Sequence, residues 1–393
     1  MKLTRRYLMA VILISLFGIS TSCKKQDDQS SEDTISAIDT EIVIGAVFPM
    51  SGPISTYGQE PINDIKLALE KINQTPIKGK IIKLVVEDNK GEPMDSMNAV
   101  RKLINVDKVH AVLGSVASSN TIAQASIAQE AQVPLLSPAS TNEKVTKAGE
   151  FVSRTCFTDD FQGVVMAKFA VETLQKKNAV IITDISSDYS KGLAESFKTK
   201  FEEIGGKVAG EMGNLTYAQK DTDFKKLLNK VKRLKPEVVF VPGYYTEVGP
   251  ILKQARSMGI KVPFLGGDGW DSPKLKELAG TDGIKNNYIS SHFSADDTDP
   301  KVQNFVKEYE SRFNQKPGAI AALGYDGILV LADALKRANS LNRNDIQNAI
   351  VATNSFAGVT GNITLDQNRN AKKSAVVLET TESGNIFKQK VSP

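Results

Sequence analysis

Three short turns carry side chains whose types and spacing could do chemistry. "GSVASSNT" (residues 114–121) and "SPASTN" (residues 137–142) set hydroxyls among small residues where a helix should begin. A helix N-terminus offers unpaired N–H groups and partial positive charge, so two such turns on neighbouring strands could surround one carboxylate. Taken singly, Ser118, Ser119 and Thr141 read equally well as ordinary N-caps. "GGDGWDSP" (residues 266–273) adds Asp268 and the only tryptophan of the chain, Trp270. A carboxylate beside a flat ring can receive an ammonium group; the plainer alternative is a turn closed by Asp268 with Trp270 packed in the core. "SSDYSKG" and "PGYYTE" contribute tyrosines, Tyr189 in the first and Tyr244 and Tyr245 in the second, able to pack and to offer a hydroxyl. Carboxylate donors in one half and an ammonium acceptor in the other describe a free amino acid held across a cleft.

No nucleophile, base or metal set accompanies these turns. The two histidines, His110 and His292, read as structural or surface residues, and no Cys/His spacing suits a metal. G-x-G-x-x-G and G-x-x-x-x-G-K-[ST] are both missing from the turns, so dinucleotide and triphosphate binding have no support. The expected protein is not an enzyme and needs no cofactor.

The elements that must position the turns follow from periodicity. "IVIGAV", "KIIKLVVEDN", "HAVLG" and "VPLLS" are apolar strands; between them lie helical stretches, the first with Ile62, Ile65, Leu69 and Ile72 on one face. The alternation restarts after Asp159 with "NAVIITD", "GKVAGE", "PEVVFVPG" and "VPFLGGD", separated by helices beginning near Phe161, Tyr189, Thr222 and Val248. Such alternation argues for parallel sheets covered on both faces, in two similar α/β lobes. Helices over Val302–Phe313, Ala319–Ala338 and Arg343–Ala352 and a β-rich tail complete the chain. In open parallel sheets ligands sit beyond the carboxyl ends of the strands, where all the singled-out turns lie.

Composition agrees. The chain has 393 residues, enough for two cores, and its net charge of +4 supplies no basic field for nucleic acid. The start, "MKLTRRYLMAVILISLFGISTSCKK", has a basic end, an apolar run and small residues before Cys23, which reads as a secretory signal over residues 1–22. Residues 23–40 are polar and acidic, a flexible tether. Cys156 is then the one other cysteine and is expected to pack as a small apolar residue.

The turns, taken in order, resemble the periplasmic leucine/isoleucine/valine-binding protein family, the solute receptors of branched-chain amino-acid ABC transporters. "GAVFPMSGPISTYG", "VLGSVASSNT", "LLSPASTN", "DYSKGLAESF", "VFVPGYYTEVGPILKQARSMGI" and "GGDGWDSP" carry the likeness. "STSC" likewise resembles a lipoprotein cleavage site, which implies lipidation of Cys23. The family resemblance implies a type I periplasmic binding fold, two Rossmann-like lobes joined by a three-crossover hinge near Thr158, Ser291–Phe293 and Lys372–Ser374. Residues 41–158 plus 292–372 would form the N-terminal lobe, and 159–291 plus 373–393 the C-terminal one. The family's carboxylate contacts fall on the Ser118 and Thr141 side chains and the Ala139 main chain. Its ammonium contacts fall on Tyr189, Tyr244 and Asp268, where the branched-chain receptor has Glu. The aromatic lid falls on Tyr57, where that receptor has Trp. Tyr57, Trp270, Phe293 and Ile320 are expected around the ligand side chain. The implied protein is a monomeric solute-binding lipoprotein of the periplasm or cell envelope, anchored to a membrane by lipid. It would deliver a small-molecule amino acid, leucine, isoleucine or valine, to an inner-membrane permease. The alternative is an amino-acid or amide sensor signalling to a membrane partner.

Overall fold

The computed structural model describes residues 40–210 and 213–393. The expectations for the signal segment, for Cys23 and for nearly all of the tether lie outside these residues.

Five parallel strands form the first sheet: β1 (Glu41–Phe48), β2 (Ile81–Asp88), β3 (Ala111–Gly114), β4 (Leu135–Ser137) and β5 (Val152–Arg154), in the order β2-β1-β3-β4-β5. The sheet is buried on both sides, and the strand period of two decides which residue meets which core. Ala111 and Leu113 of β3 join one hydrophobic cluster, while Val112 between them joins the other. One face is covered by α1 (Thr56–Ile72), whose Ile62, Ile65, Leu69 and Ile72 are all buried as their spacing predicts. The other is covered by α2 (Pro93–Asn105) and α3 (Ser118–Glu130). A four-residue helix, α4 (Lys144–Lys147), precedes β5.

The second sheet begins after α5 (Asp159–Lys168) with β6 (Asn178–Ile181). A two-strand pair, β7 (Thr183–Asp184) and β9 (Thr216–Tyr217), flanks α6 (Asp188–Glu203) and β8 (Lys207–Val208). Then follow α7 (Lys225–Leu234), β10 (Val238–Phe240), α8 (Tyr245–Ser257), β11 (Phe264–Gly266), α9 (Lys274–Gly283) and β12 (Asn287–Ser291). The chain next runs through α10 (Pro300–Phe313), α11 (Ala319–Arg337) and α12 (Arg343–Val351). A small antiparallel sheet follows, of β13 (Phe356–Gly358), β14 (Gly361–Leu365) and β15 (Ala371–Lys372). It ends in β16 (Ala375–Thr381) and β17 (Gly384–Val391). These add antiparallel to the edge of the second sheet, in the order β17-β16-β12-β11-β10-β6-β8.

Two α/β lobes result, and the chain passes between the sheets after β5, after β12 and before β16. Helix α11 packs along α1 on the first sheet, and Gly324 permits it: a Cβ there would lie 2.5 Å from Pro61 Cβ. Strand β5 and helix α9 have no counterpart in the sequence reading. A three-residue strand is too short to show a period, and α9 is interrupted at Gly280, whose φ is +70°.

Candidate functional site

Turns from both sheets meet in one small cavity. Tyr57 enters it from the first turn of α1, Val116 and Ser118 from the turn after β3, and Ala139 and Thr141 from the turn after β4. Tyr189 comes from the start of α6, Tyr244 from the turn after β10, Asp268 and Gly269 from the turn after β11, and Ile320 from the start of α11.

The hydroxyls of the first half divide into two groups. Ser115, Thr121, Ser137 and Ser140 serve each other. Ser137 Oγ donates to Ser115 O at 2.9 Å, Ser140 Oγ lies 2.8 Å from Val116 O and 2.6 Å from Thr121 Oγ1, and Ser115 N donates to Thr121 Oγ1 at 3.0 Å. The Arg154 guanidinium, fully buried, donates to Ser140 O at 2.9 Å. This network locks the two turns side by side, because buried polar groups that lose a partner cost about 1–3 kcal/mol each. Ser118, whose Oγ also accepts from Asn142 N at 3.2 Å, and Thr141 line the cavity. Helix α3 opens at Ser118 itself, with Ala117 in the N-cap position, so the positive end of a 13-residue helix reaches the cavity.

The second half supplies the acid. The main chain of Asp268 is fixed by Gln162, whose Oε1 accepts from Asp268 N at 2.7 Å and from Ser290 Oγ at 2.8 Å. Asp268 Oδ2 lies 3.0 Å from His292 Nε2, and Oδ1 is buried with no hydrogen-bond partner among the described residues. Tyr189 and Tyr244 stack at 5.2 Å beside it, and the Tyr189 hydroxyl accepts from Gly269 N at 3.1 Å. Burial raises Tyr57, Tyr189 and Tyr244 well above the ordinary phenol range, helped by the charge of Asp268, so all three hydroxyls keep their protons. Tyr57 donates across the cavity to the carbonyl of Gly269. Behind Thr141, Asp159 is fully buried; burial first, and the charge of Asp268 second, raise its carboxyl well above the usual range. Among the described residues no cluster of His, Cys, Asp or Glu has the geometry of a metal site.

Of the residues singled out in the sequence, Tyr57, Ser118, Ala139, Thr141, Tyr189, Tyr244, Asp268 and Ile320 line this one cavity. Trp270 and Phe293 do not. Asp268–Trp270 forms a single 3₁₀ turn, in which successive side chains point about 120° apart. Asp268 therefore enters the cavity while Trp270 turns into the core, over Gly266, and donates from Nε1 to Val241 O at 2.9 Å. Phe293 packs edge-on to Phe305 and shares a neighbouring cavity with Trp270. Val116, Gly269 and His292 were missed. Val116 lies inside a quoted turn but has no polar atom to draw notice. His292 is wholly buried against Asp268, which leaves the structural half of its reading as a structural or surface residue and removes the surface half. Cys156 is buried and its thiol is pushed up to about 12 by that burial, in keeping with a packing role.

Residues 41–385 match the family model for periplasmic binding proteins. A leucine-, isoleucine-, valine-, threonine- and alanine-binding protein of Pseudomonas aeruginosa is 29% identical over 339 residues, 86% of this chain and 88% of that protein. The crystal structure of a leucine-binding protein from Thermotoga maritima is similar with a TM-score of 0.86 at 36% identity, over 90% of this chain and 99% of that one. A branched-chain amino-acid transporter substrate-binding protein from Streptococcus pneumoniae, solved in complex with isoleucine, gives a TM-score of 0.84 at 34% identity, over 90% and 100% of the two chains.

Proposed function

Because the chain belongs to the periplasmic binding protein family, we propose that it captures a free branched-chain amino acid between its lobes and delivers it to an ABC permease. One observation carries the reading: a buried carboxylate oxygen, Asp268 Oδ1, without a hydrogen-bond partner among the described residues, lines the same cavity as the hydroxyl-bearing start of α3. The first fits an ammonium group and the second a carboxylate, and both belong to an α-amino acid. In this reading Ser118, Thr141 and the Ala139 main chain hold the carboxylate, while Tyr189, Tyr244 and Asp268 surround the ammonium. Tyr57, Val116 and Ile320 line the ligand's side chain. None of the three carries a charge, so a charged side chain would be buried unpaired at high cost. The names of the similar proteins from P. aeruginosa, T. maritima and S. pneumoniae support leucine, isoleucine or valine. No bond is made or broken; the work is binding and release.

The same proposal places the lobe boundaries at residues 41–158 plus 292–372 and 159–291 plus 373–393, with closure about the three passages. It sets the protein in the periplasm or cell envelope, a monomer held to a membrane through lipid on Cys23. The test is a competition series over all amino acids on the body from Glu41 onward, read by thermal shift and calorimetry. A ligand that binds the folded state raises stability by RT ln(1 + [L]/Kd), about 2.7 kcal/mol at a hundredfold excess. Leucine, isoleucine or valine should head the series; preference for a charged amino acid overturns the proposal. For the anchor, mass analysis of the mature N-terminus should find lipid on Cys23.

A further inference from the structure

The Asp268 main chain is fixed by Gln162, but nothing on its own turn fixes its carboxylate. That contact comes from His292, which directly follows β12. The imidazole is completely buried and stacks on Phe157, with ring centroids 3.6 Å apart and planes at 19°. Its Nδ1 is buried with no partner among the described residues. A neutral imidazole carries one N–H. On Nε2 that proton meets a carboxylate oxygen; on Nδ1 it would be a buried orphan donor facing nothing. Burial lowers the affinity of His292 for a second proton, an effect that Asp268 opposes and Lys373 reinforces, so the neutral Nε2–H form fits this site.

We infer that His292 is a positioning residue for amino-acid recognition: clamped on Phe157, it holds Asp268 Oδ2 so that Oδ1 is presented to the ligand's ammonium group. The inference rests on the reading that Asp268 receives that group. A carboxylate's terminal torsion is broad and roughly two-fold, so a buried Asp without a fixed donor would rotate, and its deprived oxygen would bear the cost of burial. Strands β11 and β12 are neighbours in the second sheet, so the strand ends that lead to Asp268 and His292 lie side by side. A carboxylate already held in place leaves less ordering for the binding step.

The experiment uses two probes, leucine and 2-hydroxy-4-methylpentanoate, which keeps the carboxylate and side chain but lacks the ammonium group. Calorimetry compares the wild type with His292→Phe, His292→Gln, Phe157→Leu and Asp268→Asn. His292→Phe should weaken leucine roughly ten- to a hundredfold, the range for a hydrogen bond to a charged group, and leave the hydroxy acid nearly unchanged. His292→Gln, with an N–H at similar reach, should restore most of the loss. Phe157→Leu, which unclamps the ring, should give a smaller loss with the same selectivity and stands in should His292→Phe not fold. Equal weakening of both probes would mark a merely structural role and overturn the inference, as would unchanged leucine affinity. If Asp268→Asn abolishes the preference for leucine while His292→Phe keeps it, only the role of His292 fails. If Asp268→Asn itself keeps the preference, the ammonium reading fails.

Discussion

Asp268 has two oxygens with different fates: one is hydrogen-bonded to His292, and the other is buried with no partner among the described residues. A buried charge in that condition is stable only if something supplies a donor. Asp268→Asn keeps the shape, turns Oδ1 or its neighbour into an amide and removes the charge. Leucine binding should weaken by roughly 2–5 kcal/mol, the range for losing one partner of a buried charged pair. The melting temperature without ligand should change little, because the main-chain contact with Gln162 survives. Calorimetry and thermal unfolding on the same sample check both halves, and near-normal affinity would move the ammonium contact elsewhere.

At the scale of elements, α1 brings an unexpected group into the core. Its buried face contains not only isoleucines but Asp64, fully buried with neither oxygen hydrogen-bonded among the described residues. Burial pushes this carboxyl up to about 8, with Glu60 and Glu308 adding to the effect. The folded protein thus keeps a proton that the unfolded chain gives up near 3.8. Stability from this group is fully present below that lower value and is lost as pH climbs through about 8, at up to roughly 1.4 kcal/mol per pH unit. Asp64→Asn removes the proton without changing the shape. Its stability relative to wild type should rise steadily between those two pH values, measured by denaturant unfolding at several pH values. A difference that stays flat with pH would show that Asp64 ionises freely in the folded state.

For the whole molecule, residues that do not line the cavity also bridge the two halves. Thr56 Oγ1 donates to the Tyr245 hydroxyl at 2.8 Å, and that hydroxyl donates to Pro53 O at 3.0 Å. On the other side Asn142 Nδ2 donates to Asp188 O at 2.7 Å, and Asp188 N donates to Ser119 Oγ at 3.0 Å. On the proposed hinge motion these bonds break as the lobes part, so they bear on release more than on encounter. Tyr245→Phe should speed leucine dissociation severalfold, at about 1 kcal/mol per neutral hydrogen bond, and leave the association rate unchanged. Stopped-flow binding separates the two rates. Small-angle scattering should show the protein contracting when leucine is added, and tight binding with no contraction would remove the hinge from the mechanism.

The strand–helix alternation and the placement of the turns that carry Ser118, Thr141, Tyr189, Tyr244 and Asp268 were legible along the chain, while the roles of those side chains came with the family resemblance. The alternation and the placement depend on local periodicity and on the rule that ligands sit beyond the carboxyl ends of parallel strands, and neither needs knowledge of the partner element. What faces what was not legible. Trp270 stands two residues from Asp268, yet one 3₁₀ turn sends it into the core, while Val116, which no expectation named, lines the cavity wall. His292 and Asp268 are 24 residues apart and meet only because β11 and β12 pair in register. The division of the hydroxyls also waited on the fold, since Ser140 and Thr141 are adjacent, and only the packing of two turns decides which one is spent on structure and which lines the cavity.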